Sequence, residues 1–450
     1  MPVDEPTTMA RALAAFVTGL TIESLPGTVV TKVKTNMLHD LGCAMAAHGV
    51  GESVWPLVTA MRPAEAALLC SGVRVPVEHA AFANAVLVHA RAQDDTHFSA
   101  KSHAGAVVIS AALAMAQRLG RSGSTVIPAI VAGYETAATV GEIVAASATE
   151  RGFRASSVFG PLGAAATAAV LLGLDAEQTA HAISIAMSFS CGLNQTWIDG
   201  STEWRWEVGI ASRNGVLAAE LAAQGAHGAT YAFEGAAGFA RAFGGIGDAR
   251  SSGLDLGNRW RILDVIYKPH PVCNITQSAV SVAAGLARHH DLQVPAIVGV
   301  RCYLNPADRS YPGTLNRGPF ADVGGSLMSA PYCVAMALRD RRATLAGLAA
   351  FDDAELSALI DKVQVLPDEG LPVLSARIEV DRADGATVSD ELVPEAATYN
   401  WDWDTAWQRV QALRPEMAHD GAGLDQLHDA LDGLERLASV DPVLAATVAR

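Results

Sequence analysis

From Met9 to Ala223, segment after segment carries apolar residues at three- and four-residue spacing, the period of a helix with one buried face. The segments are Met9–Thr18, Gly27–Ala47, Val54–Met61, Pro76–Arg91, Gly105–Leu119, Ser124–Ala146, Ser157–Leu172, Ala176–Phe189 and Glu203–Ala223. Many are rich in Ala and Gly, so their backbones can approach closely. Asp175 with Gln178 three residues on has the form of a capping box. Gly120 after Leu119 is a stop signal, and Pro128 lies near the start of its helix. The most apolar stretch, Phe159–Leu174, is shorter than the ~20 residues a membrane span needs and reads as a buried helix.

After Lys268 the pattern changes. Pro295–Asn305, Lys362–Leu366 and Ser375–Asp381 read as strands, and Asp384-Gly385 predicts a hairpin turn into Ala386–Val393. Helices Ile275–His289, Gly325–Leu338 and Asp353–Ile360 fall between them, and Asp402–Leu413 and Leu424–Ala438 return to the first pattern. The expected fold is mainly α with an α+β second domain. A helical domain of residues 1–267 plus 396–450 would carry an inserted α+β domain, 268–395.

Composition restricts the partners. Forty-seven acidic against 32 basic residues give a net charge of −15, which disfavours nucleic acid and anionic membranes. The six cysteines show no CxxC pair, as expected of reduced thiols in a cytoplasmic protein, and no basic segment followed by an apolar block suggests a signal peptide. No phosphate loop, dinucleotide fingerprint, nucleophile elbow or HExxH motif occurs. There are five lysines, so each stands out as a place where a compact, titratable amine is used instead of arginine.

Four segments hold polar groups able to do chemistry. Gln93–Gly105, between two apolar helices, contains Asp94, Asp95, Thr96, His97, Lys101 and His103. It suits proton transfer, or it is a solvated loop capping the next helix; its Asp-Asp-x-His spacing is weak support for a metal. Tyr267–Asn274 holds Lys268 and Cys273 in a Pro-stiffened entry to a helix, or is a rigid linker. Trp197, Trp204, Arg205 and Trp206 could wall a pocket or a subunit contact. Arg154 with Ser156 and Ser157 at a helix start could bind a carboxylate or simply cap. Tyr332 lies within a helix, where most tyrosines serve packing.

Taken together, these pieces resemble the MmgE/PrpD family. Asp94-Asp95-Thr96 followed by His103-Ala104-Gly105 is similar to its DDT…HPxG signature, and Gly133-Tyr134-Glu135 to its GYE helix. Ser157–Gly160, Arg213-Asn214-Gly215, Lys268-Pro269 and Ser329–Ala335 complete the likeness. The resemblance implies a homodimer without cofactor or metal, with a pocket between its domains for a di- or tricarboxylate. It implies His103, Lys268, Tyr332 and Asp95 as catalytic groups, with Thr96, His97, Arg154, Trp204, Arg205 and Cys273 around the substrate. Three positions depart from the family pattern. Ala92 stands where an acid is frequent, Arg154 where many members have His, and Trp204 at the place of a usual Lys, with Glu207 at that of a His. This favours a bulkier or less polar carboxylate than methylcitrate. Dehydration is expected first, epimerisation second and decarboxylation third, with a degenerate binding protein as the non-enzymatic alternative.

Overall fold

Small residues decide how the helices pack. The computed structural model describes residues 8–49, 63–247 and 254–448; the expected helix Val54–Met61 lies outside them. Among the described residues, eight long helices build the first part: α1 (Met9–Thr18), α2 (Gly27–Ala46), α3 (Val77–His89), α4 (Ala104–Leu119), α5 (Gly123–Glu150), α6 (Ala155–Leu172), α7 (Ala176–Ser188) and α8 (Glu203–Ala223). The capping box forms, with the Asp175 carboxylate accepting from Gln178 N at 2.8 Å. Helix α6 sits at the centre, against α4, α5, α7 and α8. A Cβ on Gly133 of α5 would lie 2.2 Å from Thr167 Oγ1 of α6, and one on Gly215 of α8 would lie 2.3 Å from Ala164 Cβ. Helices α5 and α6 are apolar and long enough to cross a bilayer. However, 83 % and 89 % of their most apolar windows are buried in the bundle, which accounts for that composition.

The second part is a four-stranded mixed sheet with helices on one face. Strands β1 (Ile297–Leu304), β2 (Val363–Pro367), β3 (Ala376–Arg382) and β4 (Thr387–Leu392) lie in the order β2-β1-β3-β4. Pairing is parallel between β1 and β2 and antiparallel elsewhere. The crossover between the parallel strands carries α10 (Ala330–Asp340) and α11 (Ala354–Lys362). Helix α9 (Gln277–His289) packs beside α10 over the sheet. The opposite face is wet: Arg301 pairs with Glu379 and Asp381, and Arg377 with Asp368. The hairpin turn forms, with Gly385 at φ +85°. The helix expected over Gly325–Leu338 is broken. Val323–Met328 stops, Ser329 turns extended, and its hydroxyl accepts from Tyr332 N at 3.1 Å to cap α10. Pro331 forces this break, since it has no N–H to continue a helix from the preceding turn.

The C-terminal helices α12 (Trp403–Gln411) and α13 (Leu424–Asp432) return to the helical part. Trp401, Val410, Leu424 and Leu444 share one core with α2, whose Gly42 lets Val410 approach. A second core joins Val272–Val380 to Ala92, Trp197 and Trp204 of the helical part, so these three residues mark the seam.

One substitution made at two glycines separates the effect of close packing from helix propensity. Gly215→Ala should lose about 1–3 kcal/mol in urea unfolding, because Ala164 and the Pro161 carbonyl occupy the space its methyl needs. Gly285→Ala meets nothing within 4 Å and should be neutral or gain up to ~1 kcal/mol.

Candidate active site

The loop after α3 is held by a two-residue ladder. Thr96 and His97 pair antiparallel with Ile266 and Val265, which places Lys268 beside the same loop. Between the two parts lies a cavity of about 310 Å³. The helical part contributes His89, Thr96, His103, Arg154 and Trp197 to its walls; the α+β part contributes Cys273, Asp308, Tyr311 and Met328, with Lys268 at the junction.

Lys268 is 1 % exposed. Its ammonium donates to the Ala92 carbonyl and lies 3.4 Å from His103 Nδ1 and 3.9 Å from the buried Asp94 carboxylate. His103 Nδ1 lies 2.9 Å from the Asp95 carbonyl and 3.5 Å from Asp94, both acceptors. The proton is therefore assigned to Nδ1, which leaves Nε2 as the basic nitrogen. His89 is assigned the same way. Its Nδ1 donates to both Asp94 oxygens at 2.9 Å, while Nε2 accepts from Arg154 Nη2 at 2.7 Å.

Burial sets the protonation states. It pushes the His89 pKa down to about 4 and His103 well below the usual histidine value, the nearby Lys268 adding to the second shift. Burial lowers the Lys268 pKa too, opposed by Asp94. For Asp94, burial favours the neutral acid. The attraction of His89, His103 and Lys268 outweighs it and holds the carboxylate below its usual range. Around Lys268, Asp94 is thus the anion and both imidazoles are neutral at neutral pH, while the Lys268 amine loses its proton more easily than a free lysine.

A second polar layer lies beneath. The Asp40 carboxylate accepts from Asp95 N at 3.1 Å, the Asp95 carboxylate accepts from Gly105 N at 2.9 Å, and the Tyr134 hydroxyl donates to Asp95. Gly105 is required here, since a Cβ would lie 2.0 Å from Asp40 Oδ2 and 2.7 Å from Asp95 Oδ1. Burial, reinforced by the charge of Asp94, raises the Asp95 pKa to about 7.

Of the ten residues singled out in the sequence, His103, Lys268, Thr96, Arg154 and Cys273 line the cavity. The other five stand elsewhere. Tyr332 is corrected: its hydroxyl donates to the Gly347 carbonyl at 2.9 Å inside the α+β core. Asp95 faces the buried layer and reaches the site through its carbonyl. His97 turns away, its Nδ1 accepting from Ala100 N at 3.3 Å. Trp204 lies one layer back, edge-on to His89 with centroids 5.1 Å apart. Arg205 stacks on Trp204 and pairs with Asp322 at 3.5 Å, outside the cavity. The expected tryptophan wall reduces to Trp197, because Trp206 stacks on Phe82 within the bundle. At Arg154 the anion is the protein's own: Glu207, at 2.8 Å. His89, Asp308 and Tyr311 were not singled out. They belong to no spaced motif, and His89 reads as the last residue of an apolar helix.

His89, Asp94 and His103 are close enough together to suggest a metal site, but the bonding does not fit one. Both His89 nitrogens are engaged, and an ammonium already stands beside Asp94. The similar group of His97, Glu142 and Asp264 has its carboxylates bound by Arg259 and Arg261.

A helical domain and a smaller α+β domain thus meet at a cavity lined by Lys268 and His103. The chain belongs to the MmgE/PrpD family: residues 11–251 match its N-terminal domain and 270–411 its C-terminal domain. It is 26 % identical to the cis-aconitate decarboxylase-like protein oryM of Aspergillus oryzae, over 96 % of each chain. It is 25 % identical to human cis-aconitate decarboxylase, over 85 % of this chain and 82 % of the relative. The family is one of dehydratase- and decarboxylase-type lyases.

The position of Tyr332 makes a simple test. Tyr332→Phe should keep turnover within about threefold while costing about 1 kcal/mol of stability for the lost bond to Gly347. Steady-state rates and urea unfolding of the same preparation check both.

Proposed function

We propose that the protein is a cofactor-independent, dehydratase-like lyase that removes a proton from the carbon next to a carboxylate, on a substrate other than methylcitrate. The observation that carries this reading is the 3.4 Å approach of Lys268 to His103 in the wall of the cavity between the two parts. Abstracting such a proton builds charge on an already anionic group, so a cation must stand where that charge grows. The Lys268 ammonium supplies it, and Asp94 keeps the ammonium in place. His103 is neutral with Nδ1–H anchored on the Asp95 carbonyl, so Nε2 takes the proton. In dehydration the C–H electrons form the new double bond as the C–O bond breaks, and the departing hydroxide takes a proton from His103 or from the Tyr311 phenol. Tyr311 lines the cavity where Tyr332 does not.

A second reading is decarboxylation. Trp197, Leu327 and Met328 form an apolar wall against which a carboxylate would be poorly solvated, and the relatives named above carry decarboxylase names.

His103→Asn and Lys268→Ala should each lower kcat/KM about 100- to 10,000-fold, and Lys268→Ala should also lower the urea midpoint, because Asp94 is left buried without its ammonium. The pH profile should be bell-shaped. Its acid limb lies well below pH 6.5, because burial keeps His103 neutral. Its alkaline limb lies below pH 10.5, because burial eases loss of the Lys268 proton. In deuterated water, substrate exchange with loss of water supports the first reading and carbon dioxide release the second. A panel of carboxylates giving neither exchange nor product would leave a binding protein.

A further inference from the structure

Two of the three cations in the cavity wall are already bonded within the protein. Lys268 lies against the Ala92 carbonyl and Asp94, and Arg154 is bound by Glu207, the Trp204 carbonyl and His89. The third, Lys101, lines the same cavity, and among the described residues its ammonium has neither an ion-pair partner nor a hydrogen bond. Against these three the lining holds one carboxylate, Asp308, from the α+β part. Asp308 is fixed in place: it is 5 % exposed, and its Oδ2 accepts from Leu374 N at 2.6 Å. Burial raises its pKa to about 6, opposed by the Leu374 hydrogen bond and by the charge of Lys101. The two charges thus face each other across the seam without forming an ion pair.

The backbone accounts for the place of Lys101. His97 and Ser102 pair as a short hairpin, with N–O distances of 2.8 and 3.2 Å, and Lys101 N donates to the Phe98 carbonyl at 3.0 Å to close the turn. The His97 ring steadies the turn, Nδ1 accepting from Ala100 N at 3.3 Å. Lys101 itself sits at φ +51°, in the left-handed region where Gly or Asn costs least. One of only five lysines in the chain is therefore held where a glycine would be easier to place. Lys101 is exposed and Lys268 buried, so they mark the outer and inner ends of one cavity.

Resting on the carboxylate reading above, we infer that Lys101 is a substrate-binding residue that receives a second carboxylate of the ligand at the outer end of the cavity, while Lys268 holds the first at the buried end. The ligand class is a dicarboxylate extended across the seam. Asp308 does not take the ammonium for itself, because it is tied to Leu374 N and stays out of ion-pair range. The lining keeps an excess of cations, so a second carboxylate is drawn to the outer end. Lys101 acts on binding alone and takes no part in proton transfer.

Calorimetric binding of straight-chain dicarboxylates from propanedioate to octanedioate, beside monocarboxylates of equal length, tests this at neutral pH with the intact protein. At the lengths that span the two lysines, the diacid should bind about three- to tenfold more tightly than the monoacid, the range of an ion pair that keeps part of its water. Lys101→Gln keeps most of the side chain and removes the charge. It should bring the two series within about twofold by weakening the diacids alone. Lys101→Gly removes the charge and relieves the left-handed backbone, so the same loss should come with an unchanged or raised melting temperature. A lysine that only supports the loop would instead shift both series together. Diacids binding no more tightly than monoacids at every length, or an unchanged preference in Lys101→Gln and Lys101→Gly, would overturn the inference. If carboxylates bind without that preference and exchange deuterium, the lyase reading survives and this inference alone falls. If neither series binds, both fall.

Discussion

The buried Lys268–Asp94 pair is the contact on which the site depends. Each charge alone would be driven to neutrality by burial, at a cost of several kcal/mol per ion. Together each opposes the effect of burial on the other, and the hydrogen bonds around them fix the neighbours: Ala92 and His103 beside the amine, and both Asp94 oxygens on His89. The pair also joins the chain's two parts. Asp94 sits in the loop after α3 and Lys268 at the entry to the α+β part, so the residues lining the cavity are positioned by the contact that closes the seam. The Thr96–Val265 ladder fixes the register of the two segments, and Lys32, bonded to the Val265 carbonyl at 2.9 Å and to Asn400 at 2.7 Å, ties both to the C-terminal tail.

Rigidity beneath the site comes from small residues. Gly105 leaves room for Asp40, Asp95 and Tyr134 to converge at the start of α4, and the glycines of α5 and α8 let the bundle close around α6. The polar layer is buried, and its hydrogen bonds run between parts of the chain distant in sequence. It thereby sets the Asp95 carbonyl, and with it the tautomer of His103, without touching the cavity. In the proposed reaction the proton-transfer group, His103, is prepared by backbone geometry, while the carboxylates that could compete for its proton are buried or paired.

Much of the fold was legible in the sequence because its signals are local. Apolar period, capping box and Asp-Gly turn each act over a few residues, and element ends differ from expectation by a few residues. The split at Ser329 was signalled by Pro331 two residues later, a cue masked by the apolar residues around it. Half of the expected site residues reach the cavity, and those that do sit at chain turns. Tyr332, Trp204, Trp206 and Arg205 lie on helices, where a rotation of ~100° per residue decides between cavity and core and the sequence gives no register against a neighbouring domain. His89 and Asp308 were illegible for the opposite reason. His89 bonds Asp94 five residues on, but its place in the site also depends on Arg154, 65 residues away, and Asp308 reaches the cavity across the seam.

The departures at Arg154, Trp204 and Glu207 make sense as one unit. A guanidinium placed alone in this wall would draw a further substrate carboxylate. Here Nη1 is taken by Glu207 and the Trp204 carbonyl and Nη2 by His89. Trp197 covers the guanidinium at 5.0 Å. The cation thereby becomes a structural donor that holds His89 in the neutral form able to bond Asp94. A charge that might have recognised the ligand instead orients the group supporting Lys268. The ammoniums lining the cavity are then Lys268 at its buried end and Lys101 on the loop before His103.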